Sequence, residues 1–288
     1  MFVAKAVSES TIKISVARAE TGFLDFVLVR MPQEYHITTH YTVMDTAQKI
    51  VFLYVADTSN DHAMGNLFVS DQFGYRFTHS LENIIKAENS QVDFEAVESM
   101  DGSFLANRYD REHVSGGNAK SAGNLRPITE DEILEGQEEI EEGKSGTMNK
   151  SSKKRNKKVK NNGWDNEFND KIRTYITHNR GSSWELIRAP EQDMKGKATN
   201  CYAEDGCSLN LNMYSLNQNS FAPPYSQESA VGVVMAVGNT GTSLDLNGDK
   251  KGTYLSRDGG LTWAETAKIP LIYEFGDHGG LLVAAPNI

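Results

Sequence analysis

The segment that most constrains the fold is the octapeptide at residues 256–263, which reads Ser-Arg-Asp-Gly-Gly-Leu-Thr-Trp and matches the Asp-box pattern Ser-x-Asp-x-Gly-x-Thr-Trp. This pattern predicts two strands joined by a tight turn, because Ser256 and Asp258 can accept hydrogen bonds from amides of the turn itself. Gly260 allows a backbone conformation that a side chain would hinder. Trp263 is large enough to pack between neighbouring sheets.

A second copy of the pattern lies at residues 177–184, which read Thr-His-Asn-Arg-Gly-Ser-Ser-Trp. Thr177 replaces the serine and Asn179 replaces the aspartate, and both side chains are able to make the same local hydrogen bonds. Gly181 and Trp184 keep the glycine and tryptophan positions. The repetition indicates that the turn is a recurring structural unit rather than a single loop.

A third copy, at residues 70–77, is more degenerate. It keeps Ser70 and Gly74, and it places Gln72 at the aspartate position and Phe77 at the tryptophan position. We interpret this copy as the same strand, turn and strand, with an aromatic ring that again packs into the core.

Plain hairpins lie between the boxes. Residues 41–53, 94–106 and 273–284 each run from an apolar strand through a polar turn to a second apolar strand, which is typical of a β-hairpin. Alternation of a plain hairpin with a box hairpin gives four strands per unit, the organisation of a propeller blade. The sequence therefore predicts an all-β fold, a partial β-propeller of about four four-stranded blades that spans residues 1–288.

One segment, residues 110–165, interrupts the repeats as a charged insertion. Eight of the thirteen residues from 130 to 142 are acidic, and seven basic residues follow between 150 and 160. Blocks of like charge with few apolar residues predict a disordered loop within a blade. The net charge of −10 argues against nucleic acid as a partner of the chain.

The two cysteines, Cys201 and Cys207, close a short loop that contains a glycine. Their spacing is compatible with a disulfide and equally with two free thiols. A zinc site is not expected, because no second cysteine pair and no nearby histidine completes a ligand set. We expect neither a metal nor a cofactor.

Sialidase-like glycosidases also carry Asp-boxes, so an enzyme is an alternative. Tyr273 and Glu274 are the candidate nucleophile and base for such a reaction. Adjacent residues on a strand point to opposite faces, however, so the two side chains are poorly placed to act together. The sequence predicts no catalytic site.

The chain resembles the lumenal domain of the Vps10/sortilin family of sorting receptors, and in detail the fungal vacuolar sorting receptors. The resemblance rests on the order of several motifs, which are the segments at residues 66–71, 92–106, 207–211, 229–241, 256–263 and 273–280. It covers nearly the whole chain except the charged insertion.

This resemblance implies a ten-bladed propeller whose central tunnel binds protein or peptide cargo, such as vacuolar hydrolases, in the lumen of the late Golgi and endosome. It implies a disulfide between Cys201 and Cys207. Lys13 stands where similar receptors present a basic residue to the ligand, although it lacks the bidentate fork of an arginine. Asn149 begins the one glycosylation sequon, which would be accessible to modification in a lumen.

Only about four blades fit into 288 residues, and we find no signal peptide, cysteine-rich module or membrane span. We therefore expect an internal fragment of a receptor or a truncated paralogue, which would meet a membrane only through parts outside this chain. Such an arc would leave open edge strands and exposed apolar faces. A degenerate paralogue that no longer binds cargo is a further alternative.

Overall fold

The structure is a computed structural model, and all structural statements concern the residues that it describes. These are residues 1–8, 11–18, 22, 25–32, 35, 37–38, 40–44, 50–56, 64–86, 91–110, 172–213, 222–246, 248 and 250–286. Within them lie nineteen strands and two 3₁₀ turns, at Ala203–Asp205 and Asp277–Gly279. The predicted all-β class is confirmed, and none of the described segments forms a helix that would reach across a membrane. The predicted insertion, apart from Asp110, and the sequon at Asn149 fall outside these residues.

The chain begins with a small antiparallel sheet. Its strands are β1 (Phe2–Ala6), β2 (Thr11–Val16), β3 (Val27–Leu28) and β4 (Ile37–Thr38). β1 pairs with one edge of β2, and the short strands β3 and β4 pair with its other edge. The outer edge of β1 is therefore an end of this sheet.

Two four-stranded antiparallel groups follow. The first group consists of β5 (Tyr41–Val43), β6 (Phe52–Ala56), β7 (Met64–Ser70) and β8 (Phe77–Ile85), paired in chain order. The second consists of β9 (Phe94–Ala96), β10 (Phe104–Tyr109), β11 (Ile172–Thr177) and β12 (Glu185–Leu186), also paired in chain order. A single residue pair, Arg108 with Ile84, joins β10 to β8.

The rest of the described chain forms a five-stranded sheet and a hairpin. The sheet contains β13 (Ser208–Leu211), β14 (Tyr225–Ser226), β15 (Val234–Gly241), β16 (Gly252–Ser256) and β17 (Ala264–Ala267). The hairpin consists of β18 (Leu271–Gly276) and β19 (Leu281–Pro286). All three predicted plain hairpins are present, as the pairs β5–β6, β9–β10 and β18–β19. None of these sheets closes on itself, so the propeller stays a prediction.

Strand β6 shows how consecutive sheets are held together. Phe52 and Tyr54 point into a buried cluster shared with strands β9 and β10. Leu53 and Val55 point the other way, into a cluster shared with the β1–β4 sheet. Since successive side chains of a strand face opposite sides, the β5–β8 group is buried on both faces.

The same alternation continues in later strands. On β10, Phe104 joins the cluster of the β5–β8 group, whereas Leu105 joins a cluster with residues of the β13–β17 sheet. On β15, Val234 packs into that second cluster, and Met235 packs with Phe275 of the last hairpin. Each interior sheet therefore shares one hydrophobic core with the preceding sheet and another with the following one.

Buried polar side chains add a second connection between β9–β12 and β13–β17. Thr174 Oγ1 accepts a hydrogen bond from the Leu211 amide at 2.7 Å and donates to Asn107 Oδ1 at 2.6 Å. Asn107 Nδ2 donates to Asp93 Oδ2 at 2.9 Å and to the Leu211 carbonyl at 3.2 Å. Both backbone groups of Leu211 are thus satisfied from the neighbouring group, which buried amides and carbonyls require.

Replacement of Thr174 by valine is expected to lower the free energy of unfolding by about 2 kcal/mol, because the change leaves the buried Leu211 amide and Asn107 Oδ1 without a partner. Thr242→Val, at an exposed position, is the matched control and is expected to be near neutral. Urea denaturation of both variants is the measurement. Equal stabilities of the two variants would contradict the role assigned to Thr174.

Candidate functional site

The turn at residues 256–263 is closed by its own side chains. Ser256 Oγ accepts the Gly260 amide at 2.8 Å and donates to Asp258 Oδ1 at 2.9 Å. The Asp258 carboxylate also accepts the Thr262 amide at 2.9 Å and the Thr262 hydroxyl at 2.5 Å. Serine, aspartate and threonine therefore form one local network, and a pattern confined to eight residues specifies it.

The turn at residues 177–184 makes the corresponding bonds with different residue types. Thr177 Oγ1 accepts the Gly181 amide at 3.0 Å and donates to Asn179 Oδ1 at 2.9 Å. Asn179 Oδ1 accepts the Ser183 amide at 2.9 Å. The side-chain amide of Asn179 donates to the Ser183 hydroxyl at 2.8 Å. In the other turn the direction is reversed, because the Asp258 carboxylate accepts from the Thr262 hydroxyl.

The two tryptophans reach equivalent carbonyl groups by different routes. Trp263 Nε1 donates directly to the Gly260 carbonyl at 2.9 Å. Trp184 Nε1 donates to Ser80 Oγ at 3.0 Å, and that hydroxyl donates to the Gly181 carbonyl at 2.7 Å. Ser80 lies on β8 of the preceding group, so its hydroxyl links two consecutive groups as well as completing the turn.

The turn at residues 70–77 differs from the sequence prediction. Ser70 was expected to bind the turn amides as Ser256 does, but its Oγ accepts the Val51 amide at 2.8 Å and donates to the Asp71 carbonyl at 2.7 Å. Asp71 Oδ1 accepts the amides of Phe73 and Tyr75 at 3.1 and 3.0 Å. These bonds to the second and fourth following amides are the ones that Ser256 makes in its own turn. The network is therefore shifted by one residue, to an ionised acceptor that binds more strongly than a hydroxyl.

The aromatic residue that ends each turn packs against the preceding sheet. Phe77 lies in the cluster that includes residues of the β1–β4 sheet. Trp184 packs on the cluster that includes residues of the β5–β8 group, and Trp263 lies in the cluster with Leu105 and Ile176 of the β9–β12 group. The three turns thus place their rings at corresponding positions in consecutive sheets.

The glycine of each turn meets the preceding sheet even more closely. A Cβ added to Gly181 would lie 2.6 Å from Ser80 Oγ and 2.9 Å from Phe52 Cε1, and one added to Gly260 would lie 2.5 Å from Ile176 Cδ1. Both glycines also have positive φ angles, of 77° and 96°. Gly74 has a φ of 75° as well, but its surroundings are less crowded.

Gly181→Ala is expected to lower the free energy of unfolding by about 3 kcal/mol, from a left-handed backbone and from overpacking against Phe52. Gly196→Ala is the matched control, because Gly196 has the same φ of 77° and no atom within 4 Å of its added Cβ. The control is expected to cost about 1 kcal/mol, the backbone contribution alone. Chemical denaturation of both variants measures the difference. Equal losses of stability in the two variants would show that the close contact of Gly181 with the preceding sheet makes no contribution.

The stability of the turn that contains Asp258 depends on pH. Burial alone would raise its pKa, but the hydrogen bonds from Thr262 and Ser256 outweigh burial and hold the pKa of Asp258 below its ordinary value of 3.8. A carboxyl group with a lowered folded-state pKa contributes stability that is present above the unfolded-state pKa and is lost as the pH falls through the folded-state pKa.

Asp258→Asn is therefore expected to cost about 1 kcal/mol of stability at pH 6, because charged hydrogen bonds are replaced by neutral ones. The deficit relative to the unmodified protein shrinks as the pH falls below about 4. Thermal unfolding across this pH range is the measurement, with the exposed Asp205→Asn as control. A deficit that stays constant down to the acid limit would refute the charge-based explanation.

Cys201 and Cys207 are joined by a disulfide in the structure, as the family resemblance implies. The loop that they close is anchored to β11, since Arg173 Nη2 donates to the Gly206 carbonyl at 2.7 Å and to Ser208 Oγ at 3.2 Å. An open pocket of about 410 Å³ lies beside the disulfide, with Cys201 in its lining. The described residues contain no group of histidine, cysteine, aspartate and glutamate side chains suited to a metal ion.

The structure places Tyr273 and Glu274 with different partners. The Tyr273 hydroxyl donates to the Pro223 carbonyl at 2.6 Å. Glu274 Oε1 accepts hydrogen bonds from the Tyr225 hydroxyl and from Gln227 Nε2, the latter at 3.2 Å. The two residues proposed for a glycosidase therefore bind different groups.

Lys13 projects from the exposed face of β2, and its directly paired residue across the sheet is Lys5 of β1. Two like charges therefore face solvent together.

Glu95 on β9 is a site that sequence reasoning missed. Burial, and then the nearby carboxylates of Asp93 and Glu98, raise its pKa to about 7. The three acidic residues at 93, 95 and 98 can be read from the sequence, but the burial of Glu95 cannot.

Comparison with known proteins identifies related chains. The family model described as "Sortilin, neurotensin receptor 3" (Sortilin-Vps10) matches residues 1–126 and 147–287. Relatives named "Vacuolar protein sorting/targeting protein 10" occur in several fungi. The chain is 29% identical to that of Debaryomyces hansenii over 257 residues, which is 88% of this chain and 13% of the relative. It is 30% identical to that of Trichophyton verrucosum over 266 residues, which is 90% of this chain and 14% of the relative.

A third relative of the same name, from Coccidioides posadasii, is 27% identical over 294 residues, which covers 100% of this chain and 16% of the relative. The chain thus spans about a seventh of the length of these relatives. The segment that the family model leaves unmatched, residues 127–146, includes the acidic block.

Proposed function

Because the chain belongs to the Sortilin-Vps10 family, we propose that it is a lumenal, ligand-binding part of a receptor that sorts vacuolar hydrolases from the late Golgi to the endosome and vacuole. The observation that carries this proposal is the agreement between the family match and the repeated turns, each of which packs its aromatic ring on the preceding sheet. We propose that these sheets are blades of a propeller, a fold that offers a central channel for binding.

Strands β9, β14 and β18 form the surface that we assign to cargo. The Glu98 amide donates to Ser226 Oγ at 2.8 Å, which connects the end of β9 to β14. Tyr225 and Gln227 donate to Glu274, which connects β14 to β18. These three strands are therefore connected one to the next, and in the propeller that we propose the inner strands surround the channel.

Lys13 is a second candidate contact, on the other end of the described chain. Together with Lys5 it presents two positive charges on an exposed sheet face. An ammonium group attracts a carboxylate as a point charge without fixing its orientation. We propose that this face binds an acidic or carboxylate-ended part of the cargo.

A glycosidase is not favoured by any contact of Tyr273 or Glu274, since each is engaged by a different group. We propose that the chain acts by binding and catalyses no reaction. A sialoside turnover assay tests this. Hydrolysis that is lost in Tyr273→Phe would overturn it.

Cargo binding is tested by surface plasmon resonance with the purified chain and a panel of vacuolar hydrolases. We expect binding by at least one hydrolase, weakened about fivefold by Lys13→Ala, which corresponds to the roughly 1 kcal/mol of an exposed charge pair. Lys195→Ala, an exposed lysine elsewhere, is the control. A correctly folded chain that binds no member of the panel would favour the degenerate paralogue.

The sorting role is tested separately in cells. The matched segment of the Debaryomyces hansenii relative is replaced by this chain, and the fraction of a vacuolar hydrolase that escapes into the medium is measured. Retention of the hydrolase supports the proposal, and secretion equal to that of receptor-deficient cells contradicts it.

A further inference from the structure

The connection between β12 and β13, residues 188–207, is a surface loop that leaves the sheets and returns to the same place. Its two ends are adjacent, because the Leu209 amide donates to the Ile187 carbonyl at 2.9 Å. Apart from Pro190, no apolar side chain of the loop is buried. The loop therefore contributes almost nothing to the hydrophobic clusters that join the sheets.

Polar contacts and the disulfide nevertheless fix this loop. Asp193 Oδ1 accepts the amides of Lys195 and Lys197, both at 2.9 Å, and closes the turn at the loop's tip. Asp193 Oδ2 binds Lys268 Nζ at 2.6 Å, which holds the tip beside the end of β17. The disulfide closes the second half of the loop. A loop that is fixed without a role in the core is a common place for a binding site.

The open pocket of about 410 Å³ lies inside this loop, between residues 188–192 and residues 198–203. Its volume falls within the roughly 300–1,000 Å³ that is typical of small-ligand sites. Within the described part of the chain, the lining side chains of Arg188, Glu191 and Tyr202 form no hydrogen bond or ion pair. Their polar groups are therefore available to a ligand.

The charges of the lining favour a neutral ligand. Arg188 is the one basic residue that lines the pocket, and Glu191 is the one acidic residue. An anion would be repelled by Glu191 and a cation by Arg188. A neutral group with hydroxyls can accept hydrogen bonds from the guanidinium and donate them to the carboxylate. Neighbouring hydroxyls on a sugar ring have both capacities and match the fork of each charged group.

The apolar part of the lining suits the ring of a sugar. The Tyr202 side chain is 51% exposed, so its ring offers an apolar face to a ligand. The remaining apolar residues of the lining are small, namely Ala189, Ala198 and Ala203. A flat ring with C–H groups on one face can therefore reach the tyrosine without obstruction.

We propose that this pocket binds a neutral carbohydrate, with Tyr202 packed on a sugar ring and with Arg188 and Glu191 bound to its hydroxyl groups. The loop fixes both walls of the pocket before a ligand arrives, which lowers the entropic cost of binding. The site is separate from the strands β9, β14 and β18 that we assign to cargo. It does not depend on that assignment, so either proposal can fail alone.

The test begins with the full chain on an array of neutral, sialylated and sulfated oligosaccharides, and the best neutral oligosaccharide is then titrated by calorimetry. Tyr202→Ala is expected to weaken its binding about tenfold, as truncation of a central tyrosine commonly does. Tyr202→Phe keeps the ring and is expected to retain most of the affinity. Met194→Ala is the control, because Met194 is 50% exposed in the same loop but does not line the pocket.

Glu191→Gln gives a second result that a merely structural role would not produce. The variant is expected to bind the neutral oligosaccharide about fivefold more weakly, because a charged acceptor is replaced by a neutral one. It is also expected to bind the sulfated form of the same oligosaccharide more tightly than the unmodified chain does, because Arg188 then lacks an opposing carboxylate in the pocket.

A further comparison identifies the source of the sugar. A glycoprotein that carries the selected oligosaccharide is tested before and after enzymatic removal of its glycans. Binding that is lost with the glycans supports the pocket with a protein-attached ligand, and binding of the free oligosaccharide alone supports it with a soluble ligand.

Three results would overturn the proposal. The first is no binding of any neutral oligosaccharide at millimolar concentration by a chain that circular dichroism shows to be folded. The second is binding that Tyr202→Ala and Glu191→Gln leave unchanged, which would place the sugar elsewhere on the chain. The third is a preference of the unmodified chain for sialylated or sulfated over neutral forms, which would assign the pocket to anions.

Discussion

The interaction on which the rest of the structure depends is the approach of each eight-residue turn to the preceding sheet. Gly181 and Gly260 combine a positive φ with a position where a Cβ would clash with a neighbour. Trp184 and Trp263, three residues after these glycines, pack into the hydrophobic clusters between the sheets. Closing the turn with its own side chains therefore determines how two consecutive sheets pack.

This arrangement makes the fold a row of similar units, each stabilised by its two neighbours. Repeats of this kind gain their stability from the interfaces between units. The interior sheets are buried on both faces, whereas β1 and β19 are exposed ends. Residues of the turns and cores must satisfy packing.

The sequence was most predictive where the interactions are local. The networks of Ser256 and Thr177 lie within eight residues, so residue type and spacing were sufficient to predict those turns. In the turn at residues 70–77, Asp71 and not Ser70 binds the turn amides, and this shift by one residue is visible only in the folded turn. The bridge through Ser80 joins residues 104 positions apart, and the contact of Asn107 with Leu211 spans the same distance along the chain. Such contacts depend on the packing of sheets, which no local pattern encodes.

Native-state hydrogen exchange tests the central claim most directly. The Gly181 and Gly260 amides donate to side-chain oxygens of their own turns in the interface with the preceding sheet, whereas the Gly196 amide donates to a backbone carbonyl in an exposed loop. The account predicts that Gly181 and Gly260 exchange as slowly as the adjacent strands β11 and β16, and that Gly196 exchanges much faster. Rapid exchange at Gly181 and Gly260 while these strands stay protected would contradict it.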